Sequence, residues 1–303
     1  IIKPYWYCKK IKQFLERMIF IYSNRRVQQR FFVQLGIAAC LIFSIFTVKV
    51  NAQEEVAATE NTMSYTGEPG ANFSRAAAST STDVFNIGDS TRPPQDAVDV
   101  SSYQGEMTQS DYKILADKGV RSVVVKTTQS SNYTNPYALE QIEYAANAGL
   151  NVNLYHYANF ATSKEAKAEA NYLLSFLKEN NLNKKVMIFA DMEDPSTEND
   201  NVASSLNDFW KVLSDGGYEN HGVYTGAGYL YRSAVSNTVG AENTWMAQYP
   251  YEPSGDDLWQ TNYGAWQFTP TAKVPNGDYT GYLDVSSDYI GLFEKGAGTQ
   301  PFN

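Results

Sequence analysis

Residues 186–194 read VMIFADMED: five apolar side chains, then Asp191, Met192, Glu193 and Asp194. The apolar run has the length of a strand buried on both faces. Side chains two apart on a strand share a side, so Asp191 and Glu193 are expected to project together from its C-terminal end. Outward from this strand, placed at 185–190, short β-branched runs alternate with helical periodicity. Upstream, strands are predicted at 97–101, 120–127 (VRSVVVKT) and 150–157, with helices at 110–118, 136–148 and 163–179. Asn135 caps the second helix, Pro136 opens it and Gly149 stops it. Downstream come a helix at 201–214, a strand at 222–225 and a short helix at 228–235. Strands at 244–248, 265–269 and 282–285 follow with little helix between them. Such alternation implies parallel strands with right-handed crossovers. Eight of them predict an α/β fold, a closed TIM-like (β/α) barrel with helices mainly in the first five units.

A local echo supports closure. Asp99-Val-Ser-Ser lies on the first strand and Asp284-Val-Ser-Ser on the last. In a closed barrel these strands are neighbours, and the two Asp side chains come together at one rim. Barrel enzymes place their sites where the strands end, so Asp99, Asp191, Glu193 and Asp284 are expected at one rim. Crowded carboxyls raise one another's pKa, and a carboxyl that keeps its proton near neutral pH is the general acid needed to protonate a leaving oxygen. Cleavage of a glycosidic bond fits that set. His156 and His221, the chain's two histidines, are too few for a three-histidine zinc site, and no H-E-x-x-H, G-x-S-x-G or G-x-x-x-x-G-K-[ST] motif is present. No metal or cofactor is expected. Aromatic residues near predicted strand ends (Tyr155, Tyr157, Trp245, Tyr249, Trp266) could cover the apolar face of a sugar ring.

The 303 residues carry a net charge of −9, with 43% hydrophobic content, enough for a sizeable core. The charge is divided unevenly. Residues 1–52 hold nine basic side chains and one acidic one, a net of +8, which leaves −17 for the remainder. So acidic a body is a poor partner for nucleic acid. Residues 31–48 (FFVQLGIAACLIFSIFTV) follow Arg25, Arg26 and Arg30 and precede Val50-Asn51-Ala52, so 1–52 reads as a secretory signal peptide. The competing reading is a retained anchor, for which the run is near the lower length limit. Met18 opens a conventional signal segment, so 1–17 reads as an over-extended start. The expected location is secreted, extracellular or associated with a cell wall, with no stable membrane association after cleavage. Cys8 and Cys40 both fall in the leader, so the mature body is expected to lack disulfides and thiol chemistry. Residues 53–95, rich in Ala, Ser and Thr, read as a disordered linker. Residues 96–293 form the predicted barrel and 294–303 a C-terminal tail.

The motifs occur in a recognisable order: Asp99-Val-Ser-Ser-Tyr-Gln104-Gly105, the strand end Val124-Val-Lys126-Thr-Thr128, Asp191-Met-Glu193, Trp245-Met-Ala-Gln248-Tyr249, Trp266-Gln267-Phe268 and Asp284. Together they resemble the glycoside hydrolase family 25 muramidases, the Chalaropsis-type lysozymes, over roughly residues 96–292. The resemblance implies a flattened, modified barrel of eight strands and hydrolysis of the β-1,4 bond between N-acetylmuramic acid and N-acetylglucosamine. It makes Glu193 the general acid/base. Asp191 would orient the substrate's 2-acetamido group, and Asp99 and Asp284 would support from the rim. Tyr157, Gln248, Tyr249, Trp266 and Gln267 would line the sugar groove. The implied partner is the glycan strand of bacterial peptidoglycan, bound by a monomer. One departure stands out: Gln129-Ser130 occupies the place where the family often has Glu-Gly. Residues 293–303 show no repeated wall-binding pattern, so wall targeting is expected to rest on the groove or the linker. Two other readings stay open, a non-catalytic sugar-binding or adhesion protein on the same fold and a chitinase-like hydrolase.

Overall fold

The computed structural model describes residues 83–303. The expected signal peptide at 1–52, the expected over-extended start at 1–17 and the expected linker up to residue 82 lie outside the described residues. Eight strands close into a barrel: β2 (Ala97–Val100), β3 (Ser122–Gln129), β5 (Asn151–Tyr157), β6 (Ile188–Asp191), β7 (His221–Gly226), β8 (Thr244–Ala247), β9 (Ala265–Lys273) and β10 (Leu283–Asp288). The ring is completed by β8 pairing β9, β9 pairing β10 and β10 pairing β2. Two short strands sit beside it, β1 (Phe85–Asn86) on β9 and β4 (Tyr133–Thr134) on β3. Helices α1 (Gln109–Asp117), α2 (Ala138–Asn147), α3 (Ser163–Glu179), α4 (Val202–Asp215) and α5 (Arg232–Ser236) all precede β8.

The expectation of an all-parallel barrel is corrected at one strand. Strand β10 runs antiparallel to both β9 and β2. A parallel return needs a crossover of a dozen residues or more, and the chain between Lys273 and Leu283 is shorter than that. The reversal has a useful consequence. The start of β10 lies beside the C-terminal ends of its neighbours, and Asp284 falls directly opposite Asp99.

The interior is filled rather than hollow, as in small closed barrels. Phe293, on the turn after β10, packs against Phe189 and Trp245 with ring centroids 5.7 and 5.4 Å apart, and Trp245 meets Tyr224 at 4.6 Å. Alternation along β6 sends Phe189 and Asp191 inward while Ile188 and Ala190 join the outer core. Gly222 on β7 permits this packing. A Cβ there would lie 2.5 Å from the Phe189 ring, which is held between Trp245 and Phe293. Gly222→Ala is therefore expected to destabilise the fold by about 1–3 kcal/mol through overpacking, read as a lower urea midpoint with unchanged slope.

One boundary expectation is corrected. Residues 83–95 are part of the fold, not linker: Phe85 and Ile87 are buried, Phe85 stacks on Phe268, and Arg92 lies over the Phe85 ring. Two apolar anchors suffice to order this segment despite its polar composition. The C-terminal tail is also integral. Phe302 bridges to Leu182, and the backbone N–H groups of Val152 and Asn183 donate to Gly298 and Pro301.

Candidate active site

At the rim where the parallel strands end, Asp99, Asp191, Glu193 and Asp284 line one pocket. Tyr155, Tyr224, Trp245, Tyr249 and Gln267 complete its walls. Asp191 closes β6 and is buried, as is Asp284 at the start of β10, whereas Asp99 and Glu193 are half-buried. The register that sets Asp191 beside Tyr224, and Tyr224 beside Trp245, places the aromatic wall next to the carboxyls.

A hydrogen-bond chain fixes the Asp99 side. The hydroxyls of Tyr224 and Tyr249 both donate to Gln267 Oε1, the first at 2.8 Å. With its carbonyl oxygen committed to two phenols, Gln267 turns its amide N–H to Asp99 Oδ2 at 2.8 Å. Burial pushes the Asp99 carboxyl up to about 7 against the opposing pull of that amide. Burial is also the leading cause that pushes Glu193 up to about 7; the field of Lys126 opposes it, and the charges of Asp99 and Asp194 add to it. Asp284 is held well above the usual carboxylate range by burial, then by Asp99 and Glu193. The site therefore keeps protonated carboxyls at pH values where free carboxyls are ionised, which suits a proton donor.

These shifts make stability pH-dependent. A carboxyl whose folded pKa lies above its unfolded one holds more protons in the folded state, so its stabilising contribution is complete below the ordinary carboxylate range and is lost as pH rises towards 7. With Asp99 and Glu193 both near 7, the thermal midpoint is expected to fall between about pH 4.5 and pH 7. Glu193→Gln should flatten part of that fall, as differential scanning calorimetry across this range will show.

A family model for glycosyl hydrolases family 25 matches residues 98–277, most of the barrel and three of its four pocket carboxylates. The chain belongs to this family. The autolytic lysozyme of Clostridium acetobutylicum is 25% identical over 194 residues, covering 64% of this chain and 56% of that protein. The lysozyme of Streptococcus phage Cp-1 is 27% identical over 169 residues, covering 55% and 43%. The chain thus spans about half the length of these curated relatives. Among solved structures, the catalytic domain of endolysin ply40, from a bacteriophage of Listeria monocytogenes, superimposes with a TM-score of 0.53 at 20% identity, over 66% of this chain and 95% of that one. The CTP1L endolysin does so with a TM-score of 0.51 at 22% identity, over 65% and 68%. These likenesses establish a shared TIM-like fold.

Within this family 25 barrel the sequence-predicted groove residues separate. Tyr249 and Gln267 line the pocket, although both polar ends of Gln267 are occupied by protein partners. Trp266 does not line it. Adjacent to inward-facing Gln267 on β9, it points to the outer core, is fully buried and donates to the Gln248 carbonyl at 2.7 Å. Gln248 is likewise absent from the pocket wall and its side-chain oxygen accepts from Gln260. Tyr157 is not part of the pocket wall and donates to Asp194 Oδ2 at 3.2 Å. Tyr224 was not legible as a site residue, though period two from Gly222 on a strand adjoining Asp191 would have found it. Lys126 stands in the Val124–Thr128 motif, but nothing local in that largely apolar strand assigns it a role. His156 belongs to a buried network away from the pocket wall, between Thr128 Oγ1 at 2.8 Å and Glu169 at 3.0 Å. Among the described residues, no group of three or more His, Cys, Asp or Glu side chains is arranged to hold a metal ion.

Proposed function

We propose that the protein is a secreted muramidase that hydrolyses the β-1,4 bond between N-acetylmuramic acid and N-acetylglucosamine in peptidoglycan. The observation that carries this reading is the convergence of four carboxyls in one family 25 pocket, with Glu193 pushed up to about 7. Glu193 in its protonated form donates to the glycosidic oxygen as the bond to the anomeric carbon breaks. The carbonyl oxygen of the substrate's own 2-acetamido group attacks that carbon, and Asp191 stabilises the positive charge that develops on the acetamido nitrogen. Water then opens the cyclic intermediate, giving its proton to Glu193 and restoring the starting state. Asp99 and Asp284 surround Glu193 with negative or protonated oxygen and favour its protonated form. The aromatic wall of Tyr155, Tyr224 and Trp245 supplies flat apolar surface for a pyranose face.

The similarity to an autolytic lysozyme and a phage lysozyme supports a wall glycan as substrate. Digestion of purified peptidoglycan beside chitin tests this directly. Soluble reducing sugar from peptidoglycan and none from chitin is the expected result. Comparable release from chitin would assign the pocket to N-acetylglucosamine polymers, and release from neither would favour a sugar-binding role.

A further inference from the structure

Lys126 is a buried cation for which the acid–base scheme has no use. Its residue has no exposed surface. The Nζ lies 4.8 Å from the centroid of the Tyr157 ring, 5.6 Å from that of Tyr133 and 5.9 Å from that of Tyr155, and it donates to Gln129 Oε1 at 2.8 Å. A bulge in β3 makes this possible. The register against β5 slips between Lys126 and Thr128, so Lys126 and Gln129, three apart, both turn to the inner side. The turn that follows puts Ser130 at φ 50°, a conformation that favours glycine. Burying an ammonium costs free energy even when phenol faces surround it, and an apolar side chain of similar length would fill the space without that cost. Packing therefore does not account for the charge, but its surroundings do. Tyr155 is part of the pocket wall, Tyr157 holds Asp194, and the field of Lys126 opposes the upward push on Glu193.

We propose that Lys126 is a positioning residue of this site, whose caged ammonium limits how many protons the carboxyl cluster holds and so sets the pH range in which Glu193 works. The proposal rests on the hydrolase reading above. The groups facing Glu193 are Asp99 on β2, Lys126 on β3, Tyr155 and Tyr157 on β5, Asp191 and Asp194 at the end of β6, Tyr224 on β7, Tyr249 after β8 and Asp284 on β10. The others are acids or phenols, and each of these, when ionised, favours the protonated form of Glu193. Lys126 acts in the opposite sense, and without it Glu193 would hold its proton to higher pH.

The test is the pH profile of kcat/KM on solubilised peptidoglycan for the wild type, Lys126→Met, Lys126→Arg and Gln129→Glu. Lys126→Met should move the alkaline limb up by about one pH unit. Lys126→Arg keeps the charge and should leave the limb in place whatever it does to the maximal rate. Gln129→Glu sets a carboxylate against the ammonium and should move the limb in the same direction as Lys126→Met, by less. Limbs of a folded Lys126→Met that coincide with those of the wild type would overturn the proposal. If that variant does not fold, an unmoved limb in Gln129→Glu would do so. If the wild type releases no sugar, it is the hydrolase reading that fails. The fall of the thermal midpoint with pH then decides the matter for Lys126: the fall should extend to higher pH in Lys126→Met, and an unchanged curve would contradict the proposal.

Discussion

Glu193→Gln is expected to lower kcat/KM on purified peptidoglycan by about 10²–10⁴-fold, the usual contribution of a positioned proton donor. The loss should fall on kcat, because an amide of the same shape preserves substrate contacts while supplying no transferable proton. The fold should not suffer. Glu193 is half-buried, in a site where burial opposes its ionised form. A neutral isostere removes that penalty, so the thermal midpoint at pH 7 should hold or rise. A variant that retained wild-type kcat would show that the proton comes from elsewhere, with Asp99 the first alternative, since it too is pushed up to about 7.

Asp191→Asn should cost about 10²–10³-fold in kcat, comparable to removing one preorganised electrostatic group from a catalytic site. Asp191 is buried at the end of β6, two residues from Glu193 on the same inward-facing side. Its proposed task is to meet charge that appears only as the acetamido group attacks, so its removal should leave KM nearly unchanged. A variant with raised KM and intact kcat would instead make Asp191 a ground-state contact for the sugar. Steady-state kinetics on a defined muropeptide oligomer separates the two outcomes.

The barrel was legible because its signals are local. The unbroken apolar run at 186–190, the alternation at 150–157 and the helical spacing at 163–179 are each local patterns, and the structure places β6, β5 and α3 there. The carboxyl rim was legible for the same reason, since Asp191 and Glu193 share a strand end and Asp99 echoes Asp284. Three kinds of information were not local. The direction of β10 depends on how few residues connect it to β9. Whether Trp266 or Gln267 faces inward depends on which phase of β9 the barrel accepts, and a period of two leaves both open. The roles of Lys126 and Gln129 depend on a bulge that no composition signal announces. The ordering of residues 83–95 is not legible in their composition because two buried side chains, Phe85 and Ile87, outweigh a polar background.

The central claim is that this pocket cleaves the muramic acid–glucosamine bond with Glu193 as acid. Mass spectrometry of the soluble products from purified peptidoglycan, digested by the protein and by Glu193→Gln in parallel, tests it most directly. The account predicts fragments ending in reducing N-acetylmuramic acid from the protein and almost none from the variant. Fragments ending in reducing N-acetylglucosamine, or equal yields from both proteins, would contradict it.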